Sequence, residues 1–299
     1  MESPKIIAVV VWYNGLKWVN KCLDSLRNSD CKLTTVVIDN GSTDGSIEQI
    51  KAHFPDVILI ESETNLGFGK ANNIGIKYAL ERGADYIFLL NQDAWINNNT
   101  ISNLINVASK NLEYGIVSPV HLNGTNTGLD LNFSRNVSAI SCPGFYSDLY
   151  INALKDIYSV ENINAAAWLI TAKCIGVVGL FEPAFHLYGE DDNYIQRIKF
   201  HQFKLGLVPS AAIYHDREER KGLPNSVGIK RKIPTNKLTL ILNINNSYLK
   251  SYAYILQYAI YLLVKGFFIK SLSVAIDPIL RFPYYLKIRS RHKQIWKGL

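Results

Sequence analysis

The chain is poor in the features that stabilise secreted proteins or carry proteins across membranes. Its 299 residues include only four cysteines, Cys22, Cys31, Cys142 and Cys174, far apart, with no C-x-x-C and no histidine at metal-like spacing. That excludes a disulfide framework or a zinc module and leaves reduced, structural thiols. No apolar run approaches the ~20 residues that span a bilayer; the stretch 253–264 is well short of that and even includes Gln257. Ile6–Trp12 is too short for a signal peptide and lacks a charged leader and a small-residue cleavage site. The expected compartment is therefore the cytoplasm, and sequons such as Asn136-Val137-Ser138 carry no meaning there. Neither G-x-G-x-x-G nor a Walker loop occurs, which argues against a nicotinamide oxidoreductase and a P-loop enzyme. No internal repeat is visible.

What is present is globular: 48% hydrophobic and 19% charged residues, enough chain for one large domain or two. The net charge of +7 conceals an asymmetry. Residues 1–216 hold 16 Lys/Arg and 22 Asp/Glu, a net of −6, whereas 217–299 hold 16 Lys/Arg against Glu218, Glu219 and Asp277, a net of +13. An acidic body at 1–216 with a basic extension at 217–299 points to something anionic as a partner of the extension.

The first hundred residues alternate between apolar β-branched runs and helical patterns. Strands are expected at 6–11, 34–38, 57–60 and 85–90, and helices at 17–27, 46–53 and 70–81. Near-continuous apolar strands separated by amphipathic helices mean βαβ units and a buried parallel sheet. A further helix is expected at 98–112. Residues 121–162 are rich in Asn, Ser, Gly and Tyr, show no clean period, and suggest a substrate-facing stretch. After them come a strand at 165–171, a helix at 190–200, and a strand at 205–208 ending at Pro209.

Polar clusters follow these strands. Asn91-Gln92-Asp93 ends the fourth, where open α/β sheets bind ligands; the Asp93 carboxylate suits a hard cation such as Mg²⁺ or Mn²⁺, although Asn and Asp also simply end strands in turns. Asp39-Asn40-Gly41-Ser42-Thr43-Asp44-Gly45-Ser46 follows the second strand, with Asp44 or a neighbour capping the next helix and Asp39 free to take a base or ribose. Asn65-Leu66-Gly67-Phe68-Gly69-Lys70 leads into a helix whose N-terminus favours anions. Glu190-Asp191-Asp192 opens another helix, where acids also occur for dipole reasons alone.

In order, Val11-Trp12-Tyr13-Asn14, residues 39–46, residues 65–68, Asn91-Gln92-Asp93, Gly179-Leu180-Phe181 and residues 190–197 resemble the family 2 glycosyltransferases of the GT-A fold. The nearest look is to bacterial polysaccharide-assembly, rhamnosyltransferase-like members, and the likeness spans residues 5–216. It implies an α/β, GT-A-type nucleotide-diphosphate-sugar-binding fold with a mostly parallel central sheet, a divalent metal (Mn²⁺ or Mg²⁺), a UDP- or dTDP-linked sugar donor and inversion at the anomeric carbon. The acceptor would be a lipid-linked glycan hydroxyl in bacterial surface polysaccharide synthesis. Tyr13, Asp39 and Asn65 would surround base and ribose, with Asn91 and Asp93 in the place of the D-x-D metal motif. Glu190 and Asp191 would be the acidic pair, with Asp191 as base. GT-A enzymes often place a metal or pyrophosphate ligand where His215 stands, although a histidine near a strand end is commonly structural. Trp168 fits either the donor pocket or the core. Two departures stand out: Asn91 for the first Asp of the metal motif, and Asn193 where relatives carry an Asp.

Such chemistry needs charge absorbed on the leaving diphosphate and a carboxylate to take the acceptor proton. Like charges at Glu190 and Asp192 would raise the pKa of Asp191. The competing readings are a non-catalytic sugar-nucleotide-binding or assembly subunit and a nucleotidyltransferase, the latter lacking its cationic phosphate loop.

In the extension, Lys250, Tyr254, Gln257, Tyr261 and Lys265 form one helical stripe, with apolar residues on the other faces and a strongly basic end at 287–297. Apolar helices flanked by cations and tyrosines suit in-plane attachment to the inner face of the cytoplasmic membrane. The alternative is packing on the catalytic domain or on a second subunit of a homo-oligomer. No nucleic-acid motif accompanies the charge.

Overall fold

The computed structural model describes residues 3–217 and 225–298; residues 218–224, where the basic extension is expected to begin, lie outside them. Strand β1 (Ile6–Trp12) is almost wholly buried because it pairs in parallel on both edges, with β2 (Thr34–Asp39) and β4 (Tyr86–Asn91). β3 (Ile58–Glu61) extends the parallel set beyond β2. The register sets Trp12 opposite Asp39 and Val11 opposite Asn91. Three polar loops thus leave the sheet along one edge, the carboxyl-terminal end of parallel strands where ligands bind.

Helices α1 (Val19–Arg27), α2 (Ser46–His53) and α3 (Phe68–Glu81) link these strands. α1 buries Val19, Cys22, Leu23 and Leu26, one face at helical spacing. α3 lies so close to β1 that a Cβ at Gly75 would stand 2.3 Å from a Val9 methyl, an approach only glycine permits. Beyond β4 follow β5 (Ala94–Ile96), α4 (Thr100–Ala108), β6 (Tyr114–Asn123), α5 (Leu131–Asn136), α6 (Phe145–Tyr150), β7 (Tyr158–Ser159), β8 (Ala167–Thr171), α7 (Ala172–Val178), α8 (Glu190–Phe200) and β9 (Lys204–His215). The strand order is β3-β2-β1-β4-β8-β6-β9-β5, with β7 on β9. β8 enters antiparallel between β4 and β6, while β6 and β9 run parallel.

Several elements differ from the sequence reading. β9 does not stop at Pro209. Pro119 pairs with Val208 and Val120 with Ala212, so residues 209–211 bulge out of the ladder. The bulge absorbs a proline that has no N–H to donate, and the strand continues to His215. β6 escapes the apolar pattern because Ser118, Pro119 and His121 interrupt it. The loose stretch 121–162 is partly structural: Phe133, Val137, Cys142 and Phe145 are buried in the main core. The four cysteines are free, three of them buried.

Helices α9 (Asn225–Ile241), α10 (Tyr248–Val264), α11 (Phe268–Leu280) and α12 (Phe282–Lys293) complete the chain. They share a core that includes Ile255, Leu262, Val274 and Tyr285 and takes in Phe185 from the body. Buried Arg289 on α12 donates to the carbonyls of Ile241, Asn243 and Asn246, which ties the helix to the α9–α10 turn. The helices also pack on the body. The buried carboxylate of Glu182 accepts from Arg291 and pairs with His292 at 2.8 Å, and Trp296 N–H donates to Val177 O. Packing on the body therefore accounts for the inner faces of these helices, but not for the outer one.

On that outer face Ile269, Leu272, Ile276 and Ile279 of α11 are exposed at spacings of three, four and three. Phe268, Leu280, and Ile260 and Val264 of α10 are exposed as well. No helix among the described residues is long and apolar enough to cross a membrane.

Candidate active site

A cleft of about 460 Å³ opens at the polar edge of β1, β2 and β4. Its floor is stitched together by amides. Asn40 donates to Asn65 Oδ1 at 3.1 Å and accepts from Leu66 N–H at 2.7 Å, joining the loops after β2 and β3. Asn65 also accepts from Gly67 N–H. Gly67 has φ +83°, and a Cβ there would meet His186 O at 1.9 Å, so the segment 186–188 lies directly on this turn. Gln92 clamps the Tyr13 peptide, accepting from its N–H at 2.5 Å and donating to its carbonyl at 2.9 Å. The middle residue of Asn91-Gln92-Asp93 thus fixes the wall on which the half-exposed Tyr13 ring stands.

Six of the nine residues singled out in the sequence line this cleft: Tyr13, Asn65, Asn91, Asp93, Glu190 and Asp191. The other three do not. Asp39 is buried behind the cleft, with Oδ1 accepting from Ser42 N–H; it holds the turn, and Asn40, itself buried, lines the cleft in its place. The N-cap of α2 is Gly45, which makes no side-chain cap, and Asp44 stands one residue before it, its two oxygens accepting from Ser46 and Leu16 N–H. Trp168 is fully buried, its indole N–H donating to Ile163 O and its ring near Phe181 and Tyr194. β8 is covered on both faces, so this residue belongs to the core and not to a donor pocket. His215 is also fully buried and sits behind Asp93.

Sheet register explains that last placement. β5 pairs with β9 so that Ala94 lies opposite His215, and Asp216 N–H donates to Asp93 O. His215 Nε2 comes to 3.2 Å from Asp93 Oδ1, with Asn91 Nδ2 at 3.5 Å and Arg217 Nε at 3.1 Å. Neighbouring ligands about 2.1 Å from an octahedral cation stand about 3.0 Å apart, so a carboxylate oxygen and an imidazole nitrogen at this spacing fit a shared divalent ion. Among the described residues no group of three His, Cys, Asp or Glu side chains completes a metal cage.

The second acidic pole lies at the start of α8. Glu190 is buried with Oε2 unpartnered, and burial followed by the charge of Asp191 pushes its pKa up to about 7. Asp191 is raised too, by burial and then by Asp192, against hydrogen bonds from the Asp192 and Ala165 backbone. Nearby, Asn164 lines the cleft with both side-chain polar atoms buried and unpartnered, the condition of a group that awaits a ligand.

Glu190 carries a stability consequence. Its folded pKa is raised above the ordinary 4.5, so between about pH 4.5 and 7 the folded state holds a proton that the unfolded chain has lost. Stability falls as pH rises through that window and the penalty is complete above it. At about 1.4 kcal/mol per pK unit, Glu190→Gln should stabilise the protein by roughly 3–4 kcal/mol at pH 8 and by little at pH 4.5. Melting curves across that range check it.

Sequence reasoning missed Asn164, His186, Tyr188, Arg217 and Arg231, all in the cleft wall. Arg231 stacks over the Tyr188 ring at 5.1 Å, and Tyr188 has a left-handed φ of +69°. The two arginines bring positive charge to the mouth of an otherwise acidic body. Arg217 had a signal in its position two residues after His215; Arg231 stood within a basic run that read only as bulk charge. A second cavity of about 570 Å³ lies between α3 and the tail. Its one carboxylate, Glu182, is committed to Arg291 and His292, and it holds none of the acidic residues of the cleft.

The family model described as glycosyl transferase family 2 matches residues 7–156. The dTDP-rhamnosyl transferase RfbF of Shigella flexneri is 25% identical over 214 residues, covering 71% of this chain and 69% of that protein. The N-acetylglucosaminyl-diphospho-decaprenol L-rhamnosyltransferase of Mycobacterium tuberculosis is 24% identical over 237 residues, covering 72% and 76%. Among solved structures, GalNAc-T7 with UDP, GalNAc and Mn²⁺ superposes with a TM-score of 0.67 at 18% identity, over 97% of this chain and about half, 55%, of that one. The likeness places the α/β body in the GT-A fold.

Proposed function

Because the chain belongs to glycosyl transferase family 2, we propose that it moves one sugar, with inversion, from a nucleotide-diphosphate donor to a hydroxyl of a lipid-linked glycan. The observation that carries this reading is one cleft lined by two sets of carboxylates, Asp93 with His215 buried behind it, and Glu190 with Asp191. The names of the two rhamnosyltransferases favour dTDP-rhamnose as donor and a polyprenyl-diphosphate glycan as acceptor.

In this reading Tyr13 and the Asn40–Asn65 floor hold base and ribose, and Arg217 and Arg231 draw the diphosphate to the cleft. Asp93 and His215 would hold a divalent cation, which supplies charge neutralisation to the departing diphosphate. Asp191 takes the proton of the acceptor hydroxyl as its oxygen attacks the anomeric carbon from the face opposite the leaving group. The nucleotide diphosphate departs with the bonding pair. Glu190, raised to about 7, stays largely neutral at mildly acidic pH and thus limits the repulsion Asp191 feels. Asn164 is placed to receive a sugar hydroxyl. The exposed apolar face of α10 and α11, bordered by Lys265, Lys270 and Arg281, would rest on an anionic membrane that presents the acceptor.

The test is transfer from dTDP-rhamnose and from UDP-sugars to a polyprenyl-diphosphate N-acetylglucosamine, with Mn²⁺, Mg²⁺ or chelator. Release of nucleotide diphosphate with a product of inverted anomeric configuration is expected, at least tenfold slower in chelator. Donor binding without turnover for every sugar would favour the non-catalytic sugar-nucleotide-binding subunit.

A further inference from the structure

Asp130 did not attract attention in the sequence, yet it is buried directly behind His215. It precedes α5 as its N-cap, and Oδ1 accepts from both Asn132 and Phe133 N–H at 2.9 Å. Its other oxygen, Oδ2, stands 3.5 Å from His215 Nδ1. That ring nitrogen is buried and makes no hydrogen bond within the usual limits, and the Asp130 carboxylate is the charged group set against it.

The opposite ring nitrogen reveals which one carries the proton. His215 Nε2 is met by Arg217 Nε at 3.1 Å and by Asn91 Nδ2 at 3.5 Å. An arginine nitrogen can only donate, so we assign Nε2 as the acceptor and Nδ1, toward Asp130, as the N–H. Nε2 then turns a lone pair toward Asp93 Oδ1 at 3.2 Å. Two acceptors at that distance call for a positive group between or beside them, and the Arg217 guanidinium provides one here.

We propose that Asp130 is a positioning residue for the cation site: it holds the Nδ1–H form of His215, so that Nε2 and the Asp93 carboxylate together face a divalent ion that takes over from Arg217. The proposal rests on the metal-dependent reading above. A carboxylate behind a metal-facing histidine fixes the tautomer and strengthens the ligand. Here the same carboxylate also caps the helix that opens the long 131–162 stretch.

Asp130→Asn discriminates well. The amide oxygen can keep the helix cap, while the amide nitrogen is set against His215 Nδ1 and forces its proton to Nε2, the wrong tautomer for a metal ligand. Mn²⁺ affinity in the presence of dTDP or UDP, measured by calorimetry, should fall 10–100-fold. Nitrogen NMR of labelled histidines should show the His215 proton moved from Nδ1 to Nε2. Asp130→Ser keeps a good cap but offers His215 no carboxylate; a smaller loss of Mn²⁺ affinity with an unchanged melting temperature is expected, and this variant carries the test if Asp130→Asn does not fold. Wild-type protein that binds Mn²⁺ and nucleotide, with both variants binding equally well, overturns the role of Asp130 alone. Wild-type protein with no Mn²⁺ affinity beside nucleotide overturns the metal-dependent reading and this inference together.

Discussion

Asp191→Asn is expected to lower turnover by roughly 10²–10⁴-fold, the range a positioned general base contributes, while leaving donor-nucleotide affinity within a few-fold of wild type. The substitution is close to isosteric, and the amide oxygen can still accept from Asp192 N–H, now at 2.9 Å. The fold at the start of α8 should survive, so a loss of rate is chemical and not structural. The wild-type profile should carry the same signature. Burial and Asp192 raise the pKa of Asp191, so the rate should fall on acidification at a pH above the ordinary carboxylate value near 4. A base must be ionised to act, which gives the direction: activity rises with pH through that pKa. Full turnover by Asp191→Asn with the preferred donor would remove Asp191 from the role, and Glu190 would be the next candidate.

The second large effect concerns the outer face of the helical extension. Leu272 and Ile276 are one helical turn apart on α11, 62% and 39% exposed, and neither belongs to the core that the four helices share. Replacing both with glutamate removes two apolar anchors worth about 1.5 kcal/mol each or more when buried. Binding to vesicles rich in anionic lipid should drop by roughly 100-fold or more. Transfer to a short, detergent-free acceptor analogue should be unchanged. Point substitutions are the proper test, because deleting the extension would expose Phe185 and strip Glu182 of Arg291 and His292. If wild-type protein ignores such vesicles, and the double variant instead changes the oligomeric state, the face is an interface between subunits.

The parallel half of the sheet was legible because β1, β2 and β4 are buried on both faces and read as unbroken apolar runs, with helical periodicity between them. The strands that escaped are those whose identity depends on distant partners. β6 carries Ser118 and His121 in the core, where Ser118 Oγ meets Ala167 O and His121 Nε2, and β9 carries a proline that the ladder tolerates only through a bulge. In the site, the residue types were readable but their tasks were not. Asp39 and Asn40 are neighbours with similar side chains; strand-end geometry turns Asp39 inward to a turn N–H and puts Asn40 on the cleft. Trp168 looked equally suited to pocket or core until β8 was found between two other strands. Asp130 stood in a stretch without periodicity, 85 positions from its partner His215, and no local pattern connects two such residues.

The salt link of Glu182 to α12 has a mechanical consequence. Glu182 is on the segment leading into α8, so the helices that present the apolar face and the helix that presents Asp191 are bolted to a common mount. The extension is a bracket and not a leash. A surface that receives the apolar face would therefore set the cleft at one altitude and one tilt above it, and an acceptor sugar would be reached only if its own stalk lifts the hydroxyl to that height. Selectivity for acceptor length would then follow from the bracket's dimensions without any contact that reads the sugars in between.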